Sequence, residues 1–162
     1  MSMSELLERL EAAGIILDDL TKSAMIDIKP GDFTDYDLEG FWHDRPVPFL
    51  FTGFGATRTI SAPHMIATLL YHLEVIVGQD IILVGSKGGY LAAIIDRMVG
   101  EDGSVTIIEP NEEVRLHTED RLSSHRCSGE IKLIRPNDVE EIEHLSGSCE
   151  RVLITGSVRE IP

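Results

Sequence analysis

The spacing of apolar residues changes along the chain, from a helical repeat near the amino terminus to short apolar runs beyond residue 80. The first repeat is formed by Leu6, Leu7, Leu10 and Ala13. Ser2 and Glu5 have the spacing of a capping box, which predicts that this helix begins after Ser2 and ends before Gly14. A second, short helix is predicted at roughly residues 17–25.

The helical pattern is lost over residues 28–58, where proline and glycine interrupt the sequence. The interrupting residues are Pro30, Gly31, Pro46, Pro48, Gly53 and Gly55. An unpatterned stretch of this length in a compact domain is commonly functional. We therefore expect a structured loop or lid in this segment.

The next helix is predicted to begin close to residue 62. Ser61 or Ala62 can cap it, and Pro63 is suited to its first turn. Its apolar face is formed by Met65, Ile66, Leu69, Leu70 and Leu73. Gly78 is expected to end it.

Beyond residue 80, short apolar runs alternate with segments of helical pattern. The apolar runs are 81–84, 105–108, 131–134 and 152–155, and the helical segments are 91–98, 112–122 and 139–145. Continuous apolar strands separated by helices are typical of a parallel sheet that helices cover on both faces. The predicted fold class is therefore α/β, a Rossmann-like doubly wound parallel sheet preceded by amino-terminal helices, with right-handed crossovers.

Length and composition narrow the class of protein. A chain of 162 residues fits a single domain, with residues 1–58 as helices and a lid-like loop and residues 59–162 as the Rossmann-like part.

The net charge of −14 argues against nucleic acid as a partner, because no basic stripe is present to displace counterions. No apolar run is long enough to cross a bilayer, and the amino terminus is acidic, so we expect a cytoplasmic protein without a membrane partner. Cys127 and Cys149 lack zinc-type spacing, and we expect reduced thiols and no metal.

A glycine-rich turn, Gly85-Ser86-Lys87-Gly88-Gly89-Tyr90, follows the first apolar run. Ligands of doubly wound sheets bind beyond the carboxyl ends of the strands, beside such a turn. The glycine spacing matches neither the dinucleotide fingerprint nor a phosphate-binding P-loop. Glu109 ends the second run about twenty residues later, where an acid can accept hydrogen bonds from a ribose diol. The two features together predict a pocket of nucleoside type.

Residues 59–65, Thr-Ile-Ser-Ala-Pro-His-Met, carry the most specific signal in the chain. With them the sequence resembles the protein-L-isoaspartate O-methyltransferase family, which uses S-adenosylmethionine. The resemblance runs from the amino terminus to the last residue. Further segments similar to the family are Gly14-Ile15-Ile16, Asp44-Arg45-Pro46-Val47-Pro48, Gly53-Phe54-Gly55, Val152-Leu153-Ile154-Thr155 and Glu160-Ile161-Pro162.

The resemblance implies a reaction and a set of site residues. A methyl group would pass in line from a sulfonium to the carboxylate of isoaspartyl residues in damaged proteins, a transfer that demands positioning more than acid–base help. Ser61 would orient the acceptor, and His64 would not be needed as a base because no proton is removed. The resemblance gives Thr59, Ile60, Gly85, Ser86, Gly88, Gly89, Tyr90, Glu109 and Asn137 for the cofactor, and Pro48, Ala62 and His64 for the substrate.

The sequence also departs from the family pattern. Leu83 stands two positions before the first glycine, where the family has an acid, and Lys87 stands at the second glycine. Pro136-Asn137-Asp138 replaces the family's Gly-Asp-Gly. The sequence stops at Pro162, where the family continues through further strands, so we expect an incomplete sheet whose fourth strand, residues 152–155, is an edge that could pair in a homodimer.

Two functions remain open on these residues. One is an active carboxyl O-methyltransferase, and the other is a relative that kept the fold as a binding or regulatory module after losing catalysis or cofactor binding. A methyltransferase of another small substrate is a third, less favoured interpretation, because acceptor groups are set by variable loops. A nicotinamide-dependent dehydrogenase is disfavoured by the glycine spacing.

Overall fold

A computed structural model of the protein describes residues 1–138, 143 and 149–156. Its helices are α1 (Met3–Ala12), α2 (Asp19–Asp27), α3 (Glu39–Trp42), α4 (Pro63–Leu73), α5 (Tyr90–Val99) and α6 (Glu112–Ser124). Its strands are β1 (Val47–Phe51), β2 (Thr57–Ile60), β3 (Asp80–Val84), β4 (Ser104–Ile108), β5 (Glu130–Ile134) and β6 (Arg151–Ile154). Two 3₁₀ turns, Pro30–Phe33 and Lys87–Gly89, complete the described elements.

The main sheet is parallel and has the strand order β5-β4-β3-β6. The predicted runs 81–84, 105–108 and 131–134 lie within β3, β4 and β5, and the run 152–155 extends one residue beyond β6. The predicted helices 91–98 and 112–122 lie within α5 and α6. The predicted α/β class with a parallel sheet is therefore confirmed. The helix predicted at residues 139–145 falls outside the described residues apart from residue 143, and so does the segment 160–162.

One face of the sheet forms the centre of the hydrophobic core. Ile81 and Leu83 of β3 lie beside Val105 and Ile107 of β4, and all four side chains are at most 1% exposed. They share one core cluster with α5, whose residues from Tyr90 to Met98 are buried except the half-buried Arg97. Because α5 is buried on every side, its first residues are fixed against the sheet, and so is the glycine-rich turn that precedes them.

In each of the two amino-terminal helices, the first residue follows directly after a residue whose side chain caps the helix. The capping box of α1 is confirmed, since the Ser2 backbone N–H donates to Glu5 at 2.6 Å and the Ser2 hydroxyl accepts from the Glu5 N–H at 3.3 Å. The second helix begins two residues later than predicted. Asp18 causes this shift, because its carboxylate caps α2 by accepting from the Thr21 N–H at 2.7 Å.

Residues 28–58, expected to be a loop or lid, contain regular structure. They include α3 and most of an antiparallel hairpin in which Val47 of β1 pairs with Ile60 of β2. The sequence pattern did not predict β1, because this strand contains Pro48 and a proline argues against a strand. The register is irregular between Pro48 and Leu50, which accommodates the proline. The boundary expected after Arg58 falls inside β2.

Aromatic side chains attach this amino-terminal segment to the glycine-rich turn. Phe33 and Phe41 are fully buried, and their ring centroids lie 5.6 Å and 5.9 Å from that of Tyr90. His117 of α6 donates from Nε2 to the Phe33 carbonyl at 3.0 Å, and its ring lies 4.9 Å from that of Phe49. Burial lowers the pKa of His117 and so favours its neutral form. These contacts hold the hairpin over the carboxyl ends of the main sheet.

The edge expected at the fourth strand is β6. Within residues 1–138, 143 and 149–156, this strand pairs with β3 alone, and Val152 is 51% exposed. Self-association through this edge remains a prediction. None of the helices in the described ranges is both long and apolar enough to span a membrane.

Candidate functional site

A cavity of about 420 Å³ opens at the carboxyl ends of β3, β4 and β6, beneath the β1–β2 hairpin. Ligands of doubly wound sheets bind in this position, and the volume is typical of small-molecule sites. A second cavity, of about 400 Å³, lies among Asp80, Glu101 and Asp102, away from the glycine-rich turn. The first cavity is lined by Phe49, Thr57, Arg58, Thr59, Val84, Gly85, Lys87, Glu109, Pro110, Val114, Ile154, Thr155 and Gly156.

Protein packing accounts for two glycines of the turn. A Cβ atom at Gly85 would overlap Thr155 Oγ1, and one at Gly88 would lie 2.9 Å from the Phe49 ring. Gly85 has a φ of +88° and Gly88 a φ of +77°, conformations that favour glycine. The Thr155 hydroxyl lies 2.9 Å from the carbonyl oxygens of both Val84 and Gly85, so it has little freedom to move away. Glycine at these positions lets the hairpin and β6 approach the turn closely.

Glu109 ties the glycine-rich turn to the turn that follows β4. Its side chain is 6% exposed. Oε2 accepts from the Ser86 backbone N–H at 2.8 Å and from the Ser86 hydroxyl at 2.9 Å, while Oε1 accepts from the Asn111 N–H at 2.9 Å. Because a carboxylate offers about four acceptor positions, one position on Oε1 remains for a ligand hydroxyl. Glu109 both organises the turn and presents an acceptor to the cavity.

A second network fixes the start of α4, the helix that follows Ser61. The Asp44 carboxylate accepts from the His64 backbone N–H and from the His64 ring Nδ1, both at 2.9 Å. It takes the place of a local cap, since Ala62 provides no side-chain hydrogen bond. Asp44 has a φ of +57°, so this loop is held in an uncommon conformation. Ser61 is half-buried, and its side chain makes no hydrogen bond in the part of the chain that the structure describes.

The structure brings some of the predicted site residues to the cavity and places others elsewhere. Thr59, Gly85 and Glu109 line it. Asn137 is exposed in the turn after β5, and Pro48 is half-buried with its carbonyl accepting from Thr34 at 2.8 Å. The other predicted residues do not line the cavity; of these, Ile60, Ala62, Ser86, Gly88, Gly89 and Tyr90 are buried, and Ser61 and His64 are half-buried.

Sequence reasoning did not assign a role to several cavity residues. Phe49 and Arg58 belong to the hairpin that it missed, and their position depends on tertiary contacts. Thr155 follows β6, so the rule that ligands bind at the carboxyl ends of strands could have identified it. Leu83, which stands where the family has an acid, is fully buried in the core and does not line the cavity.

Tyr90 offers a test of its expected cofactor role. Its side chain is fully buried, burial raises its pKa, and its hydroxyl has no hydrogen-bond partner among the residues that the structure describes. We expect Tyr90→Phe to leave cofactor affinity unchanged and to stabilise the fold or leave its stability unchanged, with a difference of about 1 kcal/mol or less, because the lost hydroxyl is desolvated and unpaired. Denaturant unfolding and ligand titration measure the two effects. A tenfold loss of affinity would instead place the hydroxyl in the site.

Comparison with known proteins gives one consistent family. The sequence matches the Protein-L-isoaspartate(D-aspartate) O-methyltransferase (PCMT) family over residues 1–162. A protein-L-isoaspartate O-methyltransferase of Methanopyrus kandleri is 27% identical over 158 residues, which cover 97% of this chain and 67% of the relative.

Solved structures show the same similarity. A putative protein-L-isoaspartate O-methyltransferase of Plasmodium falciparum, in complex with S-adenosyl-L-homocysteine, superposes with a TM-score of 0.77 at 26% identity, over 100% of this chain and 77% of that protein. Another protein-L-isoaspartate O-methyltransferase shares the fold with a TM-score of 0.79 at 21% identity, and this chain spans 50% of its length.

Proposed function

Because the chain belongs to the protein-L-isoaspartate(D-aspartate) O-methyltransferase family, we propose that it transfers a methyl group from S-adenosylmethionine to the carboxylate of isoaspartyl residues in damaged proteins. The observation that carries the proposal is the cavity at the carboxyl ends of β3, β4 and β6, where Glu109 and the glycine-rich turn meet. The cytoplasmic location of the protein also remains a prediction.

The residues of the cavity fit this cofactor. S-adenosylmethionine would supply an electrophilic methyl group on a sulfonium. Glu109 Oε1 has one acceptor position left after bonding Asn111, and it can receive a hydrogen bond from a ribose hydroxyl. Gly85 contributes its backbone to the cavity wall, and Val84 and Val114 contribute apolar side chains. Glu109, Gly85 and these apolar side chains would hold the cofactor.

The proposed role of Ser61 is to position the acceptor. A carboxylate is already ionised at neutral pH, so the chain has to orient it and does not have to remove a proton from it. The Ser61 hydroxyl is uncommitted within the described residues, which leaves it free to donate to one oxygen of the acceptor. The contacts of Asp44 with His64 hold the chain three residues beyond Ser61 and so restrict where this hydroxyl lies.

Cofactor binding is tested by calorimetric titration of the purified chain with S-adenosylmethionine and with S-adenosylhomocysteine. We expect both ligands to bind with a Kd well below 1 mM, a free energy more favourable than about −4 kcal/mol. The absence of binding heat at ligand concentrations up to about 1 mM would contradict the proposal.

We expect Ser61→Ala to lower kcat about 10- to 100-fold with little change in cofactor affinity, since a single positioning donor is removed. The measurement is the initial rate of methyl transfer to an isoaspartyl peptide. Ser123→Ala, which alters a serine of α6 outside the cavity, is the matched control. Equal rates for Ser61→Ala and the wild-type protein would remove Ser61 from the mechanism.

A further inference from the structure

Two cationic side chains line the cavity, Arg58 from β2 and Lys87 from the glycine-rich turn. Arg58 is exposed and Lys87 is half-buried, and neither side chain forms a hydrogen bond or an ion pair with any residue that the structure describes. Glu109, the one acid among the described cavity residues, takes its hydrogen bonds from Ser86 and Asn111. Six other Lys and Arg residues pair with carboxylates, namely Lys22, Arg97, Arg115, Arg121, Lys132 and Arg135. Lys29, Arg45 and Arg126 are also unpaired among the described residues, but they are exposed and lie outside the cavity. The cavity therefore keeps two positive charges that the described protein does not neutralise.

The backbone at Lys87 gives a second, independent observation. Its φ is +49°, a conformation that lysine adopts rarely, and it lies between Gly85 and Gly88, which also have positive φ values. A glycine at position 87 would follow the same path without strain. Strain at a residue that lines a cavity motivates the hypothesis that its side chain has a function there.

The reactants of the proposed function identify the chemical class of the ligand. A cation is unfavourable beside a sulfonium or an ammonium, and it is favourable beside a carboxylate. One carboxylate is the acceptor of the methyl group, and the other belongs to the methionine part of the cofactor. Arg58 lies on the strand that leads into Ser61, whereas Lys87 lies in the turn beside Gly85.

We propose that Arg58 binds the acceptor carboxylate and that Lys87 binds the carboxylate of the cofactor's methionine part. This proposal rests on the proposed function and names the residues that recognise its two reactants. Arg58 would hold one acceptor oxygen while the other forms the new bond to the methyl carbon. The carbon–sulfur bond breaks with its electron pair left on sulfur, and no proton moves. Because the ester is neutral, Arg58 would bind substrate more tightly than product.

The test for Arg58 compares methyl transfer to an isoaspartyl peptide by wild type, Arg58→Gln and Arg58→Lys. Arg58→Gln should raise KM for the peptide at least about tenfold, because a charge-assisted contact is lost, with the Kd for S-adenosylhomocysteine unchanged. Arg58→Lys should restore part of this loss. Arg126→Gln makes the same change of charge at an exposed arginine outside the cavity and should match wild type. An unchanged KM in Arg58→Gln overturns the assignment of Arg58.

The test for Lys87 is calorimetric and compares both cofactor forms. Lys87→Gln keeps a long side chain at position 87 and removes its charge, so it should weaken S-adenosylmethionine and S-adenosylhomocysteine about equally, by roughly tenfold, because both carry the same carboxylate. Tighter binding of S-adenosylmethionine alone would show that Lys87 faces the sulfonium, and unchanged binding of both would show that it faces solvent. Either result overturns the assignment of Lys87.

The outcomes separate this proposal from the one it rests on. If the wild-type chain binds neither cofactor form, the proposed function fails, and the inference fails with it. If the wild type binds the cofactor and methylates the peptide while the Arg58 and Lys87 variants behave like Arg126→Gln, only the carboxylate assignments fail.

Discussion

Glu109→Ala should abolish measurable cofactor binding and lower the free energy of unfolding by roughly 3–5 kcal/mol, since it removes the acceptor of three hydrogen bonds at once. Ser86 is fully buried, so its backbone N–H would lose its partner without gaining water. An unpaired buried donor costs about 1–3 kcal/mol, and the turn that shapes the cavity would lose its connection to the loop after β4.

Denaturant unfolding and titration with S-adenosylhomocysteine measure these two effects of Glu109→Ala. Ser86→Ala removes one of these three hydrogen bonds and also the one that the Thr118 hydroxyl donates to Ser86, and it should cost about 1–2 kcal/mol because Thr118 keeps the Val114 carbonyl as an acceptor. Glu101→Ala removes an exposed acid outside this cavity and should match wild type in both measurements. A Glu109→Ala protein as stable as Glu101→Ala would show that Glu109 does not organise the turn.

Gly85→Ala should destabilise the protein by about 2–4 kcal/mol and weaken cofactor binding more than tenfold. The new methyl group would overlap Thr155 Oγ1, which the carbonyls of Val84 and Gly85 hold in place. The φ of +88° adds strain, because alanine disfavours this conformation. Relief of the overlap would move β6 or the turn, and both line the cavity.

A double-mutant cycle separates the two causes in Gly85→Ala. In a Thr155→Ala background the overlapping oxygen is absent, and the next atom, the Cβ of residue 155, lies 3.8 Å away. The Gly85 substitution should then cost about 1–2 kcal/mol, which is the backbone term alone. Unfolding free energies of the four proteins give the coupling. A coupling near zero would mean that Thr155 does not limit the size of residue 85.

The sequence predicted the parallel sheet well because its signals are local. The apolar run 81–84 is continuous and is followed directly by glycine, and the run 105–108, interrupted only by Thr106, comes directly before Glu109. Such runs have few alternatives to a buried strand once helical segments separate them. The capping box at Ser2 is equally local, and its hydrogen bonds form as the spacing indicates.

The features that the sequence did not reveal depend on contacts between distant residues. The cap of α4 comes from Asp44, which lies 20 residues before His64 in the chain. The Phe49 ring packs against Gly88, and the cofactor role expected of Gly88 stays a prediction. Phe49 belongs to β1. The sequence did not predict this strand because it contains Pro48 and pairs with β2 in an irregular register. Arg58 reaches the cavity because this hairpin folds over the sheet, and no spacing rule indicates that position.

Two departures of the chain from the family pattern, Leu83 and Lys87, lie in different parts of the structure. Leu83 packs in the core, outside the cavity wall. Lys87 lines the cavity and retains a glycine-like backbone conformation, and its contact with the cofactor is the proposal made above. Of these two departures, only Lys87 lines the cavity in which we propose that the cofactor binds.

The most direct test of the account is methyl transfer from labelled S-adenosylmethionine to a peptide that contains one isoaspartyl residue, beside the same peptide with a normal aspartyl residue. The account predicts a base-labile methyl ester on the isoaspartyl peptide, none above background on the aspartyl peptide, and inhibition by S-adenosylhomocysteine. Failure to form an ester on the isoaspartyl peptide, by a protein that binds S-adenosylhomocysteine in calorimetry, would contradict it.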